Sequence, residues 1–133
     1  MLLTLADARR YADAAIQAAS AQNVRVAVAV VDELGQLLQM DRMDGAALMG
    51  PDVAFAKAVT ALNFQRPTSS VAELASRNAD LVRSLQQATR YPIMAVGGGV
   101  PIARDGKVVG AIGVSGATAE QDEGLAQAAL AGA

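Results

Sequence analysis

Apolar positions along the chain recur in two periods, and the switches between them lay out the elements. Leu5, Ala8, Ala12, Ala15, Ile16 and Ala19 repeat at helical spacing. Thr4 with Asp7 three residues on supplies a start signal, and the helix is expected to end near Gln22-Asn23. Val24 to Val31 is a β-branched run that reads as a strand. Asp32-Glu33-Leu34-Gly35 is a turn, and Gln36 to Arg42 is the antiparallel partner. Asp44-Gly45 breaks that partner strand. Pro51 stands where a first helical turn tolerates proline. Phe55, Ala58, Val59 and Leu62 then form the apolar stripe of a second helix, stopped by Arg66-Pro67.

Ser70 with Glu73 reads as the capping box of a third helix, with Leu74, Leu81 and Leu85 on one face and Asn78 marking a bend or break. Ile93 to Val96 is a short apolar strand candidate. Val100 to Arg104 and Lys107 to Ser115 are two more strands, joined by the hairpin signal Asp105-Gly106. The last strand is almost wholly apolar, as a central strand buried on both faces would be. Thr118 with Gln121 caps a C-terminal helix carrying Leu125, Ala128, Ala129 and Leu130. The order α-β-β-α-α-β-β-β-α predicts an α+β fold over residues 1–133. Its core is a five-stranded, mainly antiparallel sheet with helices packed on its faces.

Composition changes this picture in three ways. Tyr11, Phe55, Phe64 and Tyr91 are the whole aromatic complement, while thirty residues are alanine, so elements must pack closely through small side chains. Apolar residues make up 53% of the chain without any run of membrane-spanning length, and the surplus predicts a homo-oligomer. A net charge of −2 without a basic cluster argues against nucleic acid as a partner. The chain has neither cysteine nor histidine, which excludes disulfides, zinc–thiolate sites, iron–sulfur clusters and a histidine general base. The first residues lack the charged start and apolar core of a signal peptide, so cytoplasm is the expected location.

The run from Gly97 to Glu123 concentrates the candidate chemistry. Gly97, Gly98 and Gly99 allow a close backbone approach beside Pro101 without forming a dinucleotide fingerprint. Ser115-Gly116-Ala117-Thr118 leads into a helix start with free N–H groups. Ser115 has no histidine to form a triad. Glu120, Asp122 and Glu123 suit the positive end of that helix; a general base or a divalent metal ligand is the functional alternative. Lys57 is the one cation in VAFAKAVTAL: either a solvated lysine or an ammonium facing a pocket. Arg42 and Asp44 sit where the second strand ends. On their own they are an exposed charge and a turn residue. Together with Lys57 they would bind an anion through Arg42 and Lys57, with Asp44 as base.

These features in this order resemble the GlcG/HbpS family, which includes the C-terminal domain of PduO. The resemblance rests on Val28 to Asp32, Gly35, the RMDGA element Arg42 to Ala46, Lys57-Ala58 and Arg66-Pro67-Thr68. It continues through Gly97 to Ile102, Asp105-Gly106, Gly110 to Gly116 and Glu120 to Glu123. It implies a profilin-like or PAS-like sandwich, an oligomer, and for some members a link to haem, haem degradation or corrinoid metabolism. The residues themselves point to a ligand site of Arg42, Met43, Lys57, Gly97, Gly98, Gly99, Pro101, Ser115 and Gly116, with the resemblance adding weight to Lys57. The candidate catalytic groups are Lys57, Asp44 and Glu120. The chain departs from the haem picture in lacking the usual imidazole or thiolate iron ligands, which leaves only methionines and tyrosines as donors. Two main functions follow. One is a small-molecule-binding protein, with haem or another tetrapyrrole held without a histidine or cysteine ligand. The other is a cofactor-independent isomerase, tautomerase or lyase using Lys57 and a carboxylate. A purely structural or assembly role is a third reading.

Overall fold

Helix α1 (Leu5–Ala21) begins at the expected capping box: the Thr4 hydroxyl accepts from the Asp7 N–H, and the Asp7 carboxylate accepts from the Thr4 N–H. This computed structural model of the protein describes residues 2–133. Strand β1 (Ala27–Asp32) turns at Gly35 into β2 (Leu37–Arg42), and α2 (Gly50–Phe64) follows with Pro51 in its first turn. Helices α3 (Thr68–Arg77) and α4 (Ala79–Ala88) come next. Strands β3 (Gly99–Arg104) and β4 (Lys107–Ser115) form the second hairpin, and α5 (Ala119–Gly132) closes the chain. Asp105 and Gly106 both have positive φ, 51° and 78°, the pair of left-handed residues that a tight hairpin requires.

Among the described residues the sheet has four strands in the order β2-β1-β4-β3, every neighbouring pair antiparallel. The fifth strand expected at Ile93 to Val96 is not formed, so the expected five-stranded sheet is one strand smaller. The reason lies in side chains that take the hydrogen bonds a sheet would need. The Met94 N–H donates to Thr60 Oγ1, and the Ile93 carbonyl accepts from Gln86 Nε2. The third helix is two helices, separated at Asn78, whose side chain caps α4 by accepting from the Leu81 N–H. The Ser70–Glu73 capping box is also absent, because α3 begins earlier, after Pro67. The Ser69 N–H there is met by the Glu123 carboxylate from α5.

The two faces of the sheet differ in bulk, and that difference sets the layers. Val26, Val28, Val30, Val100, Ile112 and Val114 point to the side covered by α1 and α5. Ala27, Ala29, Val31 and Ala111 point to α2. In the register, Ala29 lies opposite Gly113, which lies opposite Gly99. A Cβ at Gly113 would strike the Ala54 carbonyl, and one at Gly99 would strike the Lys57 carbonyl. The α2 backbone therefore rests directly on a floor of alanine and glycine, which brings Lys57 down to the sheet. Among the described residues, no helix is long and apolar enough to cross a membrane.

Asp7 ties α1 to the β3–β4 hairpin through Arg104 at 3.0 Å, and within α1 it also pairs with Arg10 at 2.7 Å. The Thr4 backbone N–H, followed by these guanidinium groups, holds the Asp7 carboxyl well below its ordinary value of 3.8. A carboxyl depressed on folding contributes stability that is present above its unfolded pKa and is lost as pH falls toward the folded one. Asp7→Asn is therefore expected to lower the melting temperature at neutral pH and to flatten its decline in acid below the ordinary value of 3.8. Parallel acid-melting curves for the two proteins would disprove this role.

Candidate functional site

Lys57 is buried at the contact between α2 and the sheet, with its side chain 4% exposed. Its Nζ donates to Asp122 Oδ2 at 3.0 Å and to the Val114 carbonyl at 3.1 Å. Asp122 is equally buried, and its Oδ1 accepts from the Ala117 N–H at 2.9 Å. Gly98, at φ 138°, passes directly over this pair: a Cβ there would stand 2.7 Å from Lys57 Nζ. Thr68, fully buried, accepts from the Gly99 N–H at 2.8 Å and pins the other side of the glycine loop. Gly98 and Gly99 therefore form a lid of bare backbone across a buried ion pair.

The candidates Arg42, Met43 and Asp44 assemble elsewhere, in a groove of about 700 Å³ on the α1 side of the β2 end. Ile16 and Ser20 of α1, Asn23, Val24, Arg25, Met40 and Asp41 complete its lining. Arg25 lies across Gly45 and donates from Nη1 to the Asp44 carbonyl at 2.8 Å. Arg42 donates from Nη1 to the Ala46 carbonyl at 3.1 Å. Each guanidinium carries five N–H donors, so both retain capacity for a ligand. Asp41 and Asp44 stand on the same rim, with Asp41 accepting from Gln39 Nε2 at 2.8 Å. Met43 Sδ accepts from the Val26 N–H at 3.4 Å, which orients its thioether.

The structure thus divides the proposed cluster. Lys57 joins Gly98 and Gly99 but does not line the groove that holds Arg42, Met43 and Asp44, while Gly97 lies against Ala119 and Glu123. Glu120 lines a third depression, of about 430 Å³, with Gly97, Ser69 and Glu123. Ser115 pairs with Ala27 at the sheet end, and Gly116, at φ 146°, packs against the Arg25 backbone. Pro101 sits in β3, opposite Ala111. Sequence reasoning missed Arg25, Met40, Ile16 and Val24 as groove residues, and Asp122 as the partner of Lys57. The Arg25 signal was present: it is a cation interrupting a β-branched run. Asp122 gave none that set it apart from Glu120 and Glu123.

The groove combines two guanidinium groups and two carboxylates with an apolar flank. Arg25 and Arg42 offer charged donors, and Ile16, Val24, Met40 and Met43 offer apolar contact. Its volume lies within the usual range for small-molecule sites, about 300–1,000 Å³. It provides no strong iron ligand, since its soft donors are thioethers alone and one already accepts a hydrogen bond.

Comparison with known proteins gives this geometry a context. Residues 3–131 match a family described as HbpS-like, haem-degrading proteins. An uncharacterised 15.0 kDa protein of the dhaT-dhaS intergenic region of Citrobacter freundii is 41% identical over 128 residues, covering 96% of this chain and 89% of that one. The crystal structure of a double mutant of Streptomyces reticuli HbpS superposes with a TM-score of 0.88 at 36% identity, covering 98% of this chain and 86% of that one. A PduOC–haem complex superposes with a TM-score of 0.90 at 31% identity, covering 100% and 96%.

Proposed function

The chain belongs to the HbpS-like family of haem-degrading proteins, and from that premise we propose that it binds a carboxylate-bearing tetrapyrrole, haem included, in the groove between Arg25 and Arg42. The observation that carries this reading is the pairing of two guanidinium groups with an apolar wall in one open groove. The related PduOC protein was crystallised with haem, which supports the ligand class. In this chain the porphyrin carboxylates would be met by Arg25 and Arg42, and its apolar rim by Ile16, Val24 and Met40. The iron would meet no imidazole or thiolate, so binding rests on the macrocycle and its acids rather than on the metal.

The experiment compares haemin with metal-free protoporphyrin in absorption and calorimetric titrations. The two are expected to bind with similar affinity. Arg25→Ala and Arg42→Ala are each expected to weaken both ligands about 5-fold, roughly 1 kcal/mol, as for exposed charge pairs. Haemin binding about 100-fold or more tighter than protoporphyrin would place the affinity in an iron ligand instead. Wild-type affinity in both arginine variants would remove the groove from consideration.

A further inference from the structure

At the opposite end of the sheet from this groove, the β1–β2 turn contains a carboxylate that the fold leaves unsatisfied. Asp32 is fully used there: its Oδ1 accepts from the Leu34 and Gln36 N–H groups at 2.9 and 3.0 Å and shapes the turn. Glu33 is not. Among the described residues, its Oε2 is shut off from water and has no hydrogen-bond donor in reach. A buried carboxylate oxygen without a donor is unfavourable in a folded protein and calls for an explanation.

Glu33 lines a cavity of about 330 Å³ with Leu34, Leu62, Asn63, Gln65, Tyr91 and Val108. Asn63 and Tyr91 also border a second, more apolar cavity of about 250 Å³ between α2 and α4, walled by Phe64, Leu85 and Ile93. Asn63 Nδ2 is engaged with the Val59 carbonyl at 2.9 Å, which leaves the amide oxygen of Asn63 as an acceptor. The Tyr91 ring is set in place against the turn: a Cβ on Gly35 would be 3.4 Å from it. The polar end of this paired space is thus rich in acceptors and carries a carboxylate, and the other end is aromatic and aliphatic. One carboxylate suits a monocation. Among the described residues, no group of three or more carboxylates is placed to hold a metal ion.

We propose that these adjoining cavities form a binding site for a small primary amine with an apolar or aromatic body. The ammonium would donate to the Glu33 carboxylate, which a turn of its half-buried side chain brings into the cavity, and the body would lie along Tyr91 and toward Phe64 and Leu85. The site is independent of the tetrapyrrole groove: it shares no lining residue with it.

Three probes of one shape test it: 2-phenylethylamine, 2-phenylethanol and 3-phenylpropionate, each titrated into ¹⁵N-labelled protein. The amine is expected to move the amide resonances of Leu34, Asn63, Gln65 and Tyr91, with the alcohol about 10-fold weaker and the acid weaker still. Glu33→Gln should bring amine affinity down to that of the alcohol, and Leu85→Ala should weaken both probes together. Equal binding of amine and alcohol to the wild-type protein overturns the proposal. So does the absence of shifts at millimolar amine, or undiminished amine binding in Glu33→Gln.

Discussion

Lys57→Met is expected to destabilise the protein by about 3–5 kcal/mol, because it leaves Asp122 charged, buried and without its counterion. At this chain length that corresponds to a fall in melting temperature of roughly 10–20 °C. The geometry makes the loss larger than that of a surface pair. Both partners are almost fully buried, and the ammonium also holds the Val114 carbonyl. Replacing both charges tests the explanation: Lys57→Met with Asp122→Leu should recover part of the loss, since no isolated charge then remains. Recovery would be incomplete, because the Ala117 N–H loses its acceptor and the Val114 carbonyl its donor. Calorimetric melting of the two single variants and the double variant measures the coupling. A single variant within about 1 kcal/mol of wild type would mean that the pair is not the fastener described here. From sequence alone, Lys57 reads as a solvated lysine or an ammonium facing a pocket, and the structure sets it in a buried ion pair.

Gly113→Ala is expected to cost about 3 kcal/mol, at the upper end of overpacking, although it adds one methyl group. The new Cβ would meet the Ala54 carbonyl and stand 2.7 Å from the Ala58 nitrogen, both backbone atoms of α2. A side chain can rotate away from such a contact, whereas a helix backbone must move as a body. Lifting α2 would also disturb Lys57 and the Gly98 lid. Gly124→Ala is the control: a Cβ there meets nothing within 4 Å, and Gly124 lies inside α5. That substitution should stabilise by about 0.5–1 kcal/mol through helix propensity. Similar denaturant midpoints for the two variants would show that α2 does not rest on the sheet as closely as described.

The local elements were legible because their signals are local. Both threonine capping boxes, the proline in the first turn of α2 and the Asp105-Gly106 hairpin depend on residues within a few positions of each other. The structure carries all of them. The apolar run in β4 likewise identified a strand flanked on both sides, and β4 lies between β1 and β3. Family membership was equally legible, since an ordered set of short motifs spans the chain.

What the sequence could not determine depended on distant partners. Ile93 to Val96 has the composition of a strand, but Thr60 and Gln86 claim its backbone groups from two helices. The start of α3 follows from a carboxylate 54 residues away, at Glu123, rather than from its own serine and glutamate. Arg25 and Arg42 enter one groove because Ala27 pairs with Arg42 across the β1–β2 ladder. Lys57 and Asp122 meet across 65 positions, because an alanine–glycine floor lets α2 settle onto the sheet beside the start of α5. Spacing along the chain encodes which element forms. Which carboxylate a lysine finds, and whether water reaches it, is decided when those elements pack.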